Sequence, residues 1–553
     1  MKSRHLVFFL AAFAAFAQPK IDSVLNGASQ IPAGLPGSAI ARGSVFVVKG
    51  SKLGPADAVQ SDYPLSTTLG GSSITVTVGG ADVSAFLVSA SATQLTAVLP
   101  SSAAAGDAKV KVTAGDQTSD AASVAVVDVG PGIFTANGFG IGPAVVKDAD
   151  GNAISRTNAT HEGDTVTLSL TGLGAIDTPD NELPPGADSS TAVELWVGLK
   201  SATVKTKGRS TTAAGVDAIS FEVPAGVSGC AVSIAVRAGG NVSNFATVAV
   251  TAAGNKACAD ANGYTDQDLA KVSDSGLRIG SITLSRTQVK ASVPILGTVE
   301  VKSDSASAGF QRYDPQAFLQ STGSLQASYG SCVVIASNGT DVSKFAGDPV
   351  AGTKLDAGPS LTLTGPGGMK TLTGKDGSYF ADLGTSTGSS IPLPIPIPGL
   401  GGGTAYLEPG SYTVTGPGGA DVKSFTAQLT VPRPITWTNQ DAITTVNRSR
   451  DLTLNWTGGG SNDFAIIAGS SAKGKASAQF VCTAPAGASS FTVPAVVLSA
   501  LPGSDTPASI TSPTGSLAIV QAPLGDATRF TADGIDIGVI TYVTAIGKTV
   551  TYQ

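Results

Sequence analysis

Through the first half of the chain, apolar and polar residues alternate with a period of two, in short runs separated by Gly, Pro, Asp and Ser. The runs at 44–49, 74–78, 85–88, 94–99, 109–113 and 123–127 each predict a half-buried β-strand of about five residues. A second series at 165–170, 192–197, 218–223, 231–236 and 246–250 repeats the first. Gly43, Leu53 and Gly54 recur 120 residues later as Gly163, Leu173 and Gly174. Pro100, Val112, Gly115, Ser119, Val124 and Val126 recur 124 residues later as Pro224, Val236, Gly239, Ser243, Val248 and Val250. A duplicated unit of this length, rich in Val, Thr, Ser and Gly, predicts tandem β-modules, and six or seven strands in about 110 residues is the spacing of an immunoglobulin-like sandwich.

Several strings within 21–252 carry a more specific likeness. They are Val24-Leu25-Asn26-Gly27-Ala28-Ser29, Pro64-Leu65-Ser66-Thr67-Thr68-Leu69-Gly70-Gly71, Pro131-Gly132-Ile133-Phe134-Thr135 and Gly142-Pro143-Ala144, followed by Glu162-Gly163-Asp164-Thr165-Val166-Thr167-Leu168 and Thr171-Gly172-Leu173-Gly174. In these residues the chain resembles a family of secreted acidobacterial (Solibacter-type) proteins whose paired modules are similar to the IPT/TIG immunoglobulin-like fold. His161 stands where that pattern has Pro, a departure of little weight in a turn. The resemblance implies fold and export, and it brings no catalytic residues with it.

Beyond Cys258 the pattern is weaker. The segment 264–271 reads as one or two helical turns, and 279–284 and 299–302 resume the strand pattern. The strings 361–368, 377–379 and 406–414, in which a Pro-Gly turn feeds a Tyr-x-Val strand, resemble prealbumin-like or Cna-B-like sandwiches, which serve as stalks or spacers. Residues 391–398 alternate Ile or Leu with Pro, which cannot donate to a ladder, so they are expected to form an extended polyproline-like excursion. Pro432-Arg433-Pro434 reads as a linker, and the last unit has 452–456 as its clearest strand and 493–501 as a short helix or turn. The expected organisation is a signal peptide at 1–17, sandwiches at 18–127 and 128–252, a prealbumin/Cna-B-like sandwich at 253–431, and a C-terminal immunoglobulin-like sandwich at 432–553. The fold class is all-β, with almost no helix after the signal peptide.

The leader reading rests on Lys2 and Arg4, the apolar stretch 6–16, and Ala15-Phe16-Ala17 as an A-x-A type cleavage site. It predicts a secreted, periplasmic or cell-surface protein without a membrane span, because the apolar run is shorter than the ~20 residues a spanning helix needs. Charged residues make up 13% of the chain against a usual ~25%, and no run of Lys or Arg offers the concentrated basic surface that nucleic acid requires.

Four cysteines in an exported chain predict disulfides. The short loop favours Cys230 with Cys258, leaving Cys332 for Cys482, and zinc is disfavoured because no C-x-x-C pair occurs. Catalysis is short of bases. With His5 in the leader, His161 is the one imidazole of the mature chain, and it reads as a turn residue. Gly384-Thr385-Ser386-Thr387-Gly388 matches a nucleophile elbow as a string, and 469–475 matches G-x-x-x-x-G-K, but neither has the required surroundings. Asp148-Ala149-Asp150-Gly151-Asn152 reads as an Asp-Gly hairpin turn, its Gly being misplaced for a calcium loop.

The acidic loop residues Asp177, Asp180, Glu182 and Asp188 are the calcium candidates, and no other cofactor is expected. Trp437 and Trp456 would stack on sugar rings if exposed, although core packing is the favoured reading. Together these features predict a non-enzymatic exported protein with a binding, adhesive or structural role toward an extracellular protein or polysaccharide. The alternative is a carbohydrate-binding or enzyme-accessory protein.

Overall fold

The computed structural model describes residues 18–259, 276–293, 297–314, 327–338, 352–375, 377–389, 405–459, 463–505, 514–523 and 529–553. The leader at 1–17, the helical turn expected at 264–271 and the Pro-alternating run at 391–398 lie outside the described residues.

The period-two pattern is realised strand by strand. In Ser72–Val78, Ser72, Ile74, Val76 and Val78 are buried and the residues between them are partly exposed. Phe425–Val431 behaves the same way, with Phe425, Ala427, Leu429 and Val431 inward. Each strand thus gives one face to a core and the other to solvent. The only helix among the described residues is Ala495–Ser499, and the chain is all-β.

In the first module one sheet is ordered Lys20–Asn26, Val45–Ser51, Gln94–Val98, Phe86–Ala90, Val59–Gln60; the facing sheet runs Ile40–Ala41, Ala122–Val127, Gly106–Ala114, Ser72–Val78, Thr68–Leu69. In the second module the orders are Gly132–Ile133, Thr165–Thr171, Asp217–Glu222, Thr203–Arg209, Ala187–Asp188, and Thr160–His161, Ala246–Thr251, Gly229–Ala238, Val193–Val197, Lys200–Ser201. The two orders coincide, so these are tandem immunoglobulin-like sandwiches.

The duplication reaches individual hydrogen bonds. Ile40 pairs in parallel with Val126, and Thr160 with Val250. Buried Ser119 Oγ accepts from Val112 N at 3.0 Å and donates to Asp120 O at 2.8 Å; Ser243 Oγ accepts from Val236 N at 3.0 Å and donates to Asn244 O at 2.7 Å. Gly43 (φ 68°) and Gly163 (φ 82°) occupy the left-handed turn that lets their N–H groups reach Leu99 O and Val223 O.

The remainder departs from the expected division at 431/432. Ser331–Asn338 pairs with Ala476–Thr483, and Ile537–Thr549 returns to pair in parallel with Leu277–Val293. These exchanges join both segments in one sheet of fourteen strands. Two apolar clusters lie against it, one around Phe310, Tyr379, Tyr412 and Phe425, the other around Trp437, Trp456, Phe480 and Tyr552. Leu277–Val293 and Gly297–Tyr313 have 17 residues each, about 55 Å when extended. They are long enough to pass from one cluster towards the other.

Where the clusters adjoin, the sheet carries a buried polar row. Gln521 is in register with Thr544, Thr544 with Arg286, and Arg286 with Asp304. On the strand Ile537–Thr549, Tyr542 belongs to one cluster and Ile546 to the other, with Thr544 between them. Arg286 Nε and Nη2 donate to Asp304 Oδ1 and Oδ2 at 2.8 and 2.9 Å, and Asp304 Oδ2 also accepts from the backbone N–H groups of Tyr406 and Leu407. These bonds from Asp304 hold the guanidinium pKa above its ordinary value.

Candidate functional site

The modules meet through side chains rather than through a bare linker. Arg209 Nη1 donates to Gly43 O of the first module at 2.5 Å and Nη2 to Gly174 O at 3.0 Å, while Nε rests 3.0 Å from Asp217 Oδ1 in an ion pair without a well-aligned hydrogen bond. Asp217 Oδ2 accepts from Leu173 N at 2.8 Å. Burial pushes the Asp217 carboxyl up to about 6, with Arg209 pulling the other way. Val45 N donates to Thr171 Oγ1 at 2.9 Å, and Val45, Leu65, Val98 and Ala214 close the seam with an apolar patch. The second junction is apolar too: Ile31 and Leu35 of the first module and Ala235 and Phe245 of the second belong to the same cluster as Trp437 and Phe480.

Cys230 is bonded to Cys258, and Cys332 to Cys482, across 28 and 150 residues. Cys332 and Cys482 are direct partners in the Ser331–Asn338 and Ala476–Thr483 ladder, so this bridge fastens the exchanged strand to its host. The Cys230 bridge ties the chain beyond Thr251 back to the second module, and Cys258 N also donates to Arg156 O at 2.9 Å.

The four calcium candidates are not gathered by the fold. Asp180 has both carboxylate oxygens engaged by Ser101, accepting from its N at 2.6 Å and its Oγ at 2.8 Å, so it stitches the acidic loop to the first module. Asp177 and Glu182 are exposed, and Asp188 lies on a two-residue strand opposite Gly208. Among the described residues no group of three or more His, Cys, Asp or Glu side chains could hold a metal ion. Sequence reading missed the Ser101 partner because it is 79 residues away and belongs to the other repeat.

His161 holds a turn closed. Its Nδ1 is 2.9 Å from Asp164 Oδ2 and its Nε2 is 2.8 Å from Asn255 O, so both ring nitrogens face acceptors. The Asn255 carbonyl and the Asp164 carboxylate together raise the imidazole pKa above its ordinary value. Gly384-Thr385-Ser386-Thr387-Gly388 lies within the strand Ser378–Ser389, where an elbow would need a strand-to-helix turn. The G-x-x-x-x-G-K string is part of Asp463–Lys473 and its hairpin turn.

Trp437 and Trp456 are brought together as register partners on neighbouring strands. Both are buried, at 5% and 3% exposure, and pack in the core, so neither presents an open ring for the alternative of sugar stacking. Trp437 Nε1 donates to Asn439 Oδ1 at 2.9 Å.

Trp456 also forms part of the wall of a cleft of about 330 Å³ at one end of the C-terminal sandwich. The wall continues through Ile435, Gly458, Gly459, Asp463, Phe464, Ala488 and Gln521. Gln521 is 4% exposed; its Nε2 donates to Asp463 Oδ2, and its Oε1 has no hydrogen-bond partner among the described residues. A larger open hollow of about 420 Å³ involves Asp356 and Asp421, whose carboxylates are engaged by the backbone N–H groups of Gly358, Ala420 and Asp356.

No family model matches the chain, and no curated protein matches it. Among solved structures, a tetra-tandem repeat in the extending region of a large adhesion protein is 13% identical over 96% of this chain and 98% of that one, with a TM-score of 0.13. SGBP-B from a complex xyloglucan utilization locus in Bacteroides uniformis is 12% identical over 53% and 66%, with a TM-score of 0.14. Domains 5–6 of the S-layer protein SbsC are 14% identical over 43% and 100%, also with a TM-score of 0.14. Likenesses at these scores carry no functional argument.

Proposed function

We propose that the protein is an exported, rigid array of β-sandwiches with an extracellular binding, adhesive or structural role, akin to the secreted acidobacterial proteins with paired IPT/TIG-like modules. The observation that carries the reading is the seam at Arg209: a buried charge pair, backbone acceptors from both modules and an apolar patch together fix the angle between neighbouring sandwiches. Independent domains on free linkers would leave those groups hydrated. The two disulfides favour an oxidising compartment, where such bonds persist. Among the described residues no helix is long and apolar enough to cross a membrane. The proposal assigns no catalytic step, since both nitrogens of His161 are engaged in holding a turn.

The test combines small-angle X-ray scattering of residues 18–553 with fractionation of the producing cells. One rigid envelope, recovery outside the cytoplasm and oxidised cysteines are expected. A flexible string of beads, or cytoplasmic protein with free thiols, overturns the reading.

A further inference from the structure

Where the chain leaves the second module it doubles back on it. Residues 252–258 form a strap along the segment 156–164: Ala159 N donates to Lys256 O at 2.8 Å and Cys258 N to Arg156 O at 2.9 Å, while Thr251 Oγ1 donates to Ala257 O at 3.1 Å. The Cys230–Cys258 disulfide at its end is buried with Ala159 and Ala249, its two cysteines 7% and 4% exposed. A reagent in solvent reaches those sulfurs only through a local opening.

We propose that the strap is a proton-operated clasp, closed by the doubly protonated ring of His161 and loosened when that ring loses a proton. The inference goes beyond the scaffold role and does not depend on it. Nδ1 is 2.9 Å from Asp164 Oδ2 and Nε2 is 2.8 Å from Asn255 O, and both partners are acceptors. A charged imidazole donates to both. A neutral one has a single N–H. The carboxylate keeps that hydrogen on Nδ1, since a bond to a charged acceptor is the stronger, and the Nε2 lone pair is then left facing the Asn255 carbonyl. Two acceptors at that separation repel, so the strap loses its tie at Asn255.

The surroundings leave the ring to this pair of contacts. Asp164 is the charged side chain that acts on it, and Thr160 Oγ1 and His161 N also donate to Asp164 Oδ2, which fixes the carboxylate beside the ring. Glu162, on the same turn, accepts from Gly226 N at 3.0 Å. Lys200 donates to Ala225 O and Gly226 O, and Lys256 and Arg156 enter the strap through their carbonyls. Thr251, in parallel register with His161, is uncharged.

The experiment measures reduction of Cys230–Cys258 in residues 18–553 by a water-soluble phosphine at about pH 5.5 and about pH 8.5, either side of the ordinary imidazole value. Phosphorus attacks one sulfur and the S–S bond breaks; water gives its oxygen to the phosphine oxide and its hydrogens to the two thiols. Rates are read from alkylated peptides and divided by that of oxidised glutathione in the same tube, which removes the reagent's own pH dependence. The normalised rate should rise about threefold or more from the acid to the alkaline condition. It should stay flat in His161→Gln, which has no titrating ring. It should also stay flat in Asp164→Asn, where the neutral ring is free to carry its hydrogen on Nε2 and keep the Asn255 bond, an outcome that a merely structural Asp164 does not give. The clasp is overturned if the parent rate is flat, or if either variant rises as the parent does. Hydrogen exchange at the Ala159 and Cys258 amides of the parent, corrected for the intrinsic effect of pH, carries the test if a variant does not fold. Equal protection at the two pH values overturns the proposal.

Discussion

Arg209 and Asp217 face each other 3.0 Å apart with side chains 1% and 2% exposed, and the same guanidinium reaches the Gly43 carbonyl of the preceding module. Removing one partner from a buried pair leaves the other charge without compensation and typically costs about 3–5 kcal/mol. Arg209→Met should lower stability by that order in urea denaturation near pH 7, where it leaves the Asp217 carboxylate buried without its cation. Replacing Asp217 by Asn in the same chain should restore much of the loss. A change below about 0.5 kcal/mol in Arg209→Met, the level of an ordinary surface substitution, would mean that the pair does not hold the seam.

The same carboxyl gives a pH dependence. Its folded pKa of about 6 lies above the ~3.9 of an unfolded Asp, so the folded state binds the proton more tightly. The stability from this group is complete below about pH 4 and is lost as pH rises through about 6. Asp217→Asn should flatten the stability profile over that window, as read from urea midpoints.

His161 has the same sign in a higher window. Both ring nitrogens face acceptors, which favours the doubly protonated ring, so its contribution is full below the unfolded value of about 6.5 and fades as pH rises through the raised folded value. NMR titration of the ring protons should place the midpoint above about 6.5. In Asp164→Asn the midpoint should fall, and an unchanged midpoint would show that the Asp164 contact is not formed in solution.

Ser119→Ala and Ser243→Ala test the duplication at the level of single bonds. Each removes the donor and acceptor that bridge Val112 with Asp120 or Val236 with Asn244, so each should cost about 1–3 kcal/mol, and the two costs should be similar. A large loss in one module with none in the other would separate them energetically.

The disulfides should differ in weight. Opening the 150-residue loop should cost about 1.5 kcal/mol more than opening the 28-residue loop if chain entropy dominates. Denaturation of Cys332→Ala/Cys482→Ala against Cys230→Ala/Cys258→Ala measures this, and equal losses would reject the entropic account.

The repeat could be read from residue types because a sandwich repeats its requirements locally: turn glycines such as Gly43 and Gly163, and inward positions two apart. The sheet beyond residue 276 could not, since alternation tells which face of a strand is apolar and not which strand lies beside it. Ser331–Asn338 alternates as well with Ala476–Thr483 as it would with a nearer partner. Trp456 was legible as a large aromatic suited to a core, and it is buried. Gln521 gave no signal at all, because its place in a buried polar row with Thr544, Arg286 and Asp304 arises only from strand pairing.

The returning strand Ile537–Thr549 has a consequence for how the chain is made. Its Tyr542 belongs to the cluster around Phe310 and its Ile546 to the cluster around Trp456, so neither cluster has its full wall until residues 537–549 have been synthesised. During that interval the edge of Leu277–Val293 lacks the ladder that Ile537–Thr549 later provides along twelve residue pairs. This strand is therefore the closing piece of both halves at once. Nascent chains halted before residue 529 should remain open to protease in strands such as Leu277–Val293 and Asp463–Lys473, and chains extended through residue 553 should become resistant there in a single step.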